Sequence, residues 1–276
     1  MLKDLSATNQ HRQEVQAGER FEFGANWSRF LRLLDDSRIQ QAEESLRSML
    51  NVATLSGMRF LDAGSGSGLF SLAARRLGAT VYSFDYDPRS VACTEELKRR
   101  YFPGDAQWVV AAGSVLDPAF LSGLGQYDIV YSWGVLHHTG NMRAALQNVV
   151  SLVAPAGKLF IALYNDQGWI SKYWSFIKRQ YNLRPATRPL LILAHAPYLL
   201  LGRFVVRALK GKVREARGMS LYYDMVDWLG GWPFEVSRPA DIVDLYASRG
   251  FTTRRLITVG SRLGCNEFVF DKQSAS

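Results

Sequence analysis

The stretch MRFLDAGSGSGLFSLAARRLGATVYSFDYD (58–87) decides the fold. MRFLDAG (58–64) is a short apolar run that reads as a buried strand. The glycine-rich turn Asp62–Gly68 follows, and LFSLAARRLG (69–78) has helical spacing closed by Gly78. TVYSFDYD (80–87) then reads as a second strand. Gly64, Gly66 and Gly68 put no side chain between the backbone and a ligand and tolerate unusual φ. The helix that starts behind them aims its free amides at whatever lies over the turn. Asp85 stands 17 residues after Gly68 at the end of the second strand. A carboxylate there accepts the hydrogens of both ribose hydroxyls of a nucleoside.

The same alternation continues outward. PRSVACTEELKRRYF (88–102) reads as a helix with proline in its first turn, AQWVVAAGSV (106–115) as a strand and YDIVYSWGVL (127–136) as another. NMRAALQNVVSLV (141–153) is helical and ends at Ala-Pro-Ala-Gly, before the strand KLFIALYN (158–165). After a long interruption come a helix, RPADIVDLYASRG (238–250), and two closing strands, FTTRRLITVG (251–260) and NEFVFD (266–271). Residues 11–50 are helical, with a break at Asp35–Ser37. The expectation is one α/β domain over 1–276: a Rossmann-like, seven-stranded, mostly parallel sheet with an antiparallel last strand. Within it, 1–55 forms an N-terminal helical extension, 56–165 the cofactor-binding core, 166–236 a helical cap insertion, and 237–276 the last helix and closing strands.

The glycine spacing separates two nucleotide-binding motifs. A dinucleotide fingerprint needs a third glycine at 69, where Leu69 stands, so an NAD-dependent oxidoreductase is the poorer alternative. The pattern is Asp-x-Gly-x-Gly-x-Gly, and here the sequence resembles the class I S-adenosylmethionine-dependent methyltransferases over 58–164 and 238–270. The resemblance implies S-adenosylmethionine as cofactor and S-adenosylhomocysteine as product. It places Asp62, Gly64, Ser65, Gly66 and Gly68 around the methionine portion, Asp85 on the ribose and Tyr86 beside the adenine. Ser114 and Val115, with Gly113, would line the adenine edge, and Trp133 with Gly134 would lie beside the sulfonium. Many members carry Asp where Ser114 stands; serine accepts hydrogen bonds too, or Asp117 substitutes.

Methyl transfer needs alignment first, and a base only where the acceptor must lose a proton. His137 and His138 follow the fourth strand, at the carboxyl end where open α/β sheets bind ligands. In this loop the chain is similar to the ubiquinone-pathway and related small-molecule O-methyltransferases, which points to His138 as base or substrate ligand, His137 being the second candidate. Tyr164 follows the fifth strand. The run MSLYYDMVDWLGGWPFEV (219–236) offers Tyr223, Asp224, Asp227 and Trp232, with Asp227 or Asp224 orienting an acceptor hydroxyl or amine. Phe23, Asn26 and Trp27 are candidates for a lid. No metal is expected, because the histidines have no third ligand at a sensible spacing.

Composition narrows the partners. The 276 residues carry a net charge of +8, but between Ile170 and Arg217 eleven Lys or Arg face one acid, Glu215. The rest of the chain is therefore close to neutral. WISKYWSFIKRQYNLR (169–184) interleaves aromatic and basic residues, and the apolar run from Pro189 to Gly202 is shorter than the roughly 20 residues that span a bilayer. Three readings of 169–217 stay open: a peripheral contact with an anionic membrane, a helical cap over a lipophilic pocket, and nucleic-acid binding, which its Leu- and Ile-rich stretches speak against. The polar N-terminus has no apolar signal segment, and Cys93 and Cys265 suggest neither a disulfide framework nor a metal site, so a cytoplasmic protein is expected. The expected function is methyl transfer to a small, lipophilic acceptor at oxygen. Methylation of RNA or protein, or a non-catalytic cofactor-binding protein, are the alternatives; SWGV (132–135) replaces the tetrapeptide that amino-group nucleic-acid methylases carry.

Overall fold

The computed structural model describes residues 2–201 and 221–274. Seven strands form one sheet in the order β3-β2-β1-β4-β5-β7-β6: β1 Arg59–Ala63, β2 Thr80–Asp85, β3 Trp108–Ala112, β4 Tyr127–Trp133, β5 Val153–Tyr164, β6 Phe251–Ile257 and β7 Cys265–Lys272. Only β7 runs antiparallel to its neighbours. The chain steps outward from β1 to β3 and returns to place β4 on the other side of β1. The tips of β1 and β4 therefore diverge, and a crevice opens there.

Strand residues alternate between two cores, as expected of a sheet buried on both faces. Phe60, Val81, Tyr131, Phe160 and Val269 face helices α2 (Gly24–Leu33), α3 (Asp36–Leu50), α4 (Leu69–Arg76) and α5 (Pro88–Tyr101), meeting Ile39, Leu46, Leu72 and Leu97. Leu61, Val130, Leu159, Ile161, Phe268 and Phe270 face the other way, onto Leu146 and Val149 of α7 (Met142–Leu152) and Ile242 and Tyr246 of a late helix, Pro239–Ala247. A short helix α6, Pro118–Ser122, follows β3.

Two local expectations are corrected. Residues 11–50 contain two breaks: α1 (Leu2–Gln16) stops before Gly18, whose φ of 72° and close approach to the Asn182 carbonyl leave no room for a side chain. The Ala-Pro-Ala-Gly stretch does not separate α7 from the next strand. It lies within β5 as a bulge, with Val153 pairing Tyr127 and Lys158 pairing Ile129.

The insertion is helical where it is described: α8 Trp169–Leu183, α9 Arg188–Ala196, a π turn at Pro197–Leu201, and α10 Leu221–Gly230; the helix Pro239–Ala247 is then α11. A third core joins Trp174, Ile177 and Tyr181 of α8 to Leu199, Met225, Trp228 and Phe234. Among the described residues no helix is long and apolar enough to cross a membrane.

Candidate active site

The crevice opens into a cavity of 740 Å³. Gly64, Gly66 and Gly68 have φ of 87°, 55° and 79°, so each sits in the left-handed region that favours glycine. A Cβ on Gly64 would overlap the Val135 side chain, and one on Gly66 would stand 3.1 Å from the Trp27 indole nitrogen. The turn is held by the amides of Gly64 and Ser65, which donate to the Phe84 carbonyl at 2.8 and 3.0 Å. The Ser65 hydroxyl lies 2.9 Å from that of Thr94.

Asp85 stands over this turn. Its two carboxylate oxygens accept from the amides of Gly66 and Asp87, each at 2.9 Å. Burial, with the nearby Asp87 charge, pushes its carboxyl up to about 7 against the pull of those amides. A half-buried carboxylate with lone pairs to spare, on a wall of the cavity, fits a vicinal diol; the residues present fit an adenosyl group on this ground. Asp62 is tied from behind instead. The Trp108 indole donates to Ser83 Oγ at 2.9 Å, Ser83 to Ser71 Oγ at 2.7 Å, and Ser71 to Asp62 at 2.5 Å. All four side chains are buried. Burial lifts Asp62 to about 7, and the Ser71 hydrogen bonds oppose it.

On the β2–β3 side, Tyr86, Gly113, Ser114 and Val115 line the cavity. Ser114 Oγ accepts from the Leu116 amide at 3.1 Å. Asp117 does not substitute for it: its carboxylate caps α6 by accepting from Ala119 and Phe120. The Tyr86 hydroxyl donates to Glu14 at 3.1 Å, and the Arg20 guanidinium covers its ring at 4.9 Å. Arg20 also pairs with Glu14 at 2.6 Å and donates to the His138 carbonyl at 3.0 Å. Residues 17–27 thus form a strap from β2 to the loop after β4, pinned further by the Gly24 amide on Asp87 at 2.7 Å. Phe23 and Trp27 face the cavity, whereas Asn26 is buried without lining it.

The far half of the cavity lies over β4 and β5. Trp133 lines it and donates to Glu267 at 3.2 Å. His138 lines it too. Its Nδ1 meets the Pro233 carbonyl at 2.6 Å and must donate there, which leaves Nε2 an acceptor. Burial, assisted by the Lys178 and Arg20 charges and opposed by the Pro233 carbonyl, lowers its pKa to about 3. Tyr164 and Trp228 complete the wall, their rings 5.4 Å apart.

Several sequence candidates fall elsewhere. His137 is fully buried and off the cavity, its ring packed edge-on against that of His138 at 4.5 Å on the short 3₁₀ turn Leu136–His138. It accepts from the Tyr164 amide at 3.3 Å with its ring 4.0 Å from that of Tyr164, so it supports that residue. Trp232 does not line the cavity either; its carbonyl accepts from the Phe21 amide at 2.9 Å and closes the strap onto the cap. Tyr223, Asp224 and Asp227 sit on α10, and their side chains lie outside the described residues. Trp228, one of the aromatic residues the sequence offers in 219–236, lines the cavity, whereas Arg20 and Glu267 escape sequence reasoning. Glu267 alone left a signal, an acid on a strand otherwise apolar at Phe268, Val269 and Phe270.

A sequence profile of methyltransferase domains matches residues 35–194, more than half of the chain. A ubiquinone biosynthesis O-methyltransferase from a Caulobacter species is 30% identical over 115 residues, 40% of this chain and 42% of that protein. Its counterpart from Rhodopseudomonas palustris is 27% identical over 139 residues, 50% of this chain and 52% of that protein. The chain thus matches about half the length of these relatives. Among solved structures, the N-methyltransferase NodS from Bradyrhizobium japonicum, with S-adenosylhomocysteine, aligns with a TM-score of 0.52 at 15% identity over 91% of this chain and 98% of that one. Magnesium protoporphyrin IX methyltransferase from Synechocystis aligns at 0.51 and 17% identity, over 85% and 83%. At such identities these likenesses are of fold. Profile, glycine turn and sheet order agree: the chain belongs to the methyltransferase-domain family, among the class I S-adenosylmethionine-dependent methyltransferases.

Proposed function

We propose that the protein moves the methyl group of S-adenosylmethionine to a hydroxyl oxygen of a small, lipophilic acceptor. One observation carries this reading: a single cavity runs from the glycine turn and Asp85 to His138, Tyr164 and Trp228. When bound, S-adenosylmethionine supplies a methyl carbon already activated by positive sulfur. The chain's part is alignment and proton handling. Asp85 holds the ribose hydroxyls, Asp62 and the glycine-turn amides take the methionine portion, and Tyr86, Ser114 and Val115 border the adenine. Trp133 lines the same cavity and would lie beside the sulfonium.

His138 orients the acceptor. Its neutral ring, fixed as the Nδ1–H tautomer by Pro233, offers Nε2 to the acceptor's hydroxyl hydrogen. A ring whose pKa is lowered to about 3 is a weak proton sink, so His138 serves as a directional acceptor for a hydroxyl that is itself acidic. The aromatic walls at Phe21, Phe23, Tyr164 and Trp228 suit an apolar acceptor body. The ubiquinone biosynthesis O-methyltransferases among its relatives support oxygen as the methylated atom.

Calorimetric titration with S-adenosylhomocysteine tests the cofactor half. Wild type should bind at micromolar Kd and Asp85→Ala at least tenfold more weakly, with NAD inert. The acceptor half is read by incubating phenolic, alcoholic and amine acceptors with methyl-¹³C S-adenosylmethionine and assigning the labelled carbon by NMR. Labelling confined to nitrogen or carbon would overturn the assignment to oxygen.

A further inference from the structure

We propose that the outer face of α8 and α9 docks on an anionic lipid bilayer, lying in the headgroup region without spanning it. Helix α8 carries two distinct apolar stripes. Trp174, Ile177 and Tyr181 turn inward to the third core. Trp169, Tyr173, Phe176 and Leu183, spaced by three, four and seven residues, turn outward. Trp169 is 73% exposed and Phe176 59%. On α9 and the following turn Leu190, Leu193 and Tyr198 are also exposed, Leu193 at 73%. Seven of the twelve large apolar side chains left exposed among the described residues thus lie within 169–198. Scattered exposed hydrophobes are ordinary, but a concentration like this marks an interaction face.

The two helices present one surface. The Tyr173 hydroxyl meets His195 Nε2 at 2.7 Å, and the Trp174 and Tyr198 rings stack at 6.3 Å. Charge selects the occupant. Lys172, Arg179 and Arg184 are exposed beside the outward apolar row, and 167–214 contains no acid. Tryptophan and tyrosine at the interface, leucine and phenylalanine below and cations toward headgroups are what an interfacial helix needs on an acidic membrane. A protein partner would call for many polar groups paired across the interface, and the outward row of α8 offers rings, one leucine, cations and a single amide, Gln180. The face also backs directly onto the cavity wall, since Trp174 contacts Trp228 at 5.6 Å.

The test is co-sedimentation of the full chain with sucrose-loaded vesicles of phosphatidylcholine alone or with one-third phosphatidylglycerol. S-adenosylhomocysteine affinity serves as a check of folding. Wild type should partition onto the phosphatidylglycerol vesicles and release in high salt. Trp169→Ser with Phe176→Ser should cut partitioning at least tenfold, and Lys172→Glu with Arg179→Glu should erase the preference for phosphatidylglycerol, both with cofactor affinity intact. No partitioning of wild type, or unchanged partitioning of the Trp169/Phe176 variant, would overturn the proposal. So would a dimer in sedimentation velocity that this variant dissociates, which would assign the face to a second copy of the chain.

Discussion

Asp85 makes cofactor capture pH-dependent, and the sign follows from its environment. Its carboxyl titrates near 7 because it is buried beside Asp87. The two ribose hydroxyls donate together only to the ionised form, because the protonated carboxyl turns one of its oxygens into a donor, so binding below pH 7 favours expelling a proton. The Kd for S-adenosylhomocysteine should rise by up to about tenfold per pH unit below 7 and level off above it. Asp85→Asn should bind weakly with no such slope; a flat wild-type profile between pH 5.5 and 8 would remove Asp85 from the ribose. At this scale the sequence was legible where spacing carried the message, as in Gly64, Gly66, Gly68 and Asp85. It was silent on Ser71 and Ser83, which reach Asp62 only because adjacent strands and a helix bring three hydroxyl and carboxyl groups into line. It could not separate His137 from His138, since one residue of rotation in a 3₁₀ turn decides which ring meets the cavity.

Among elements, the strap at 17–27 is the least anticipated. Its composition suggested a lid, but its path is set by contacts far away in sequence: Arg20 on the His138 carbonyl, Gly24 on Asp87, Phe21 on Trp232. It stands close to Gly66 through Trp27, which predicts that the strap lifts when the cofactor leaves. Arg20→Ala removes the clasps to Glu14 and to His138. The dissociation rate of S-adenosylhomocysteine, followed by stopped-flow fluorescence, should rise at least fivefold while the association rate changes little. An unchanged release rate would make the strap mere packing. The sheet elements were legible because alternation and turn residues mark them locally. The β5 bulge was not, because pairing with β4 absorbs a segment whose sequence reads as a stop.

Over the whole molecule, the two cores flanking the sheet follow from strands apolar on successive residues, and their helices were readable by apolar spacings of three and four. The third core was not, because its members come from 174 to 234 and meet only after the cap has folded. It touches the body mainly through Tyr164 and through Phe21, whose ring fills the space beside Gly230. A core that shares few side chains with the sheet opens on its own. Native-state hydrogen exchange should find α8 and α10 opening at lower free energy than β1, β4 and β5; equal protection would make the cap part of one cooperative unit. That separation gives the molecule a rigid floor and an exchangeable roof. On the proposed reading, what donates the methyl group is written into the floor, and the roof adds Trp228 to the wall that meets the acceptor. Descendants of such a chain can change their chemistry of recognition by recasting one contiguous segment, leaving the donor site as it was.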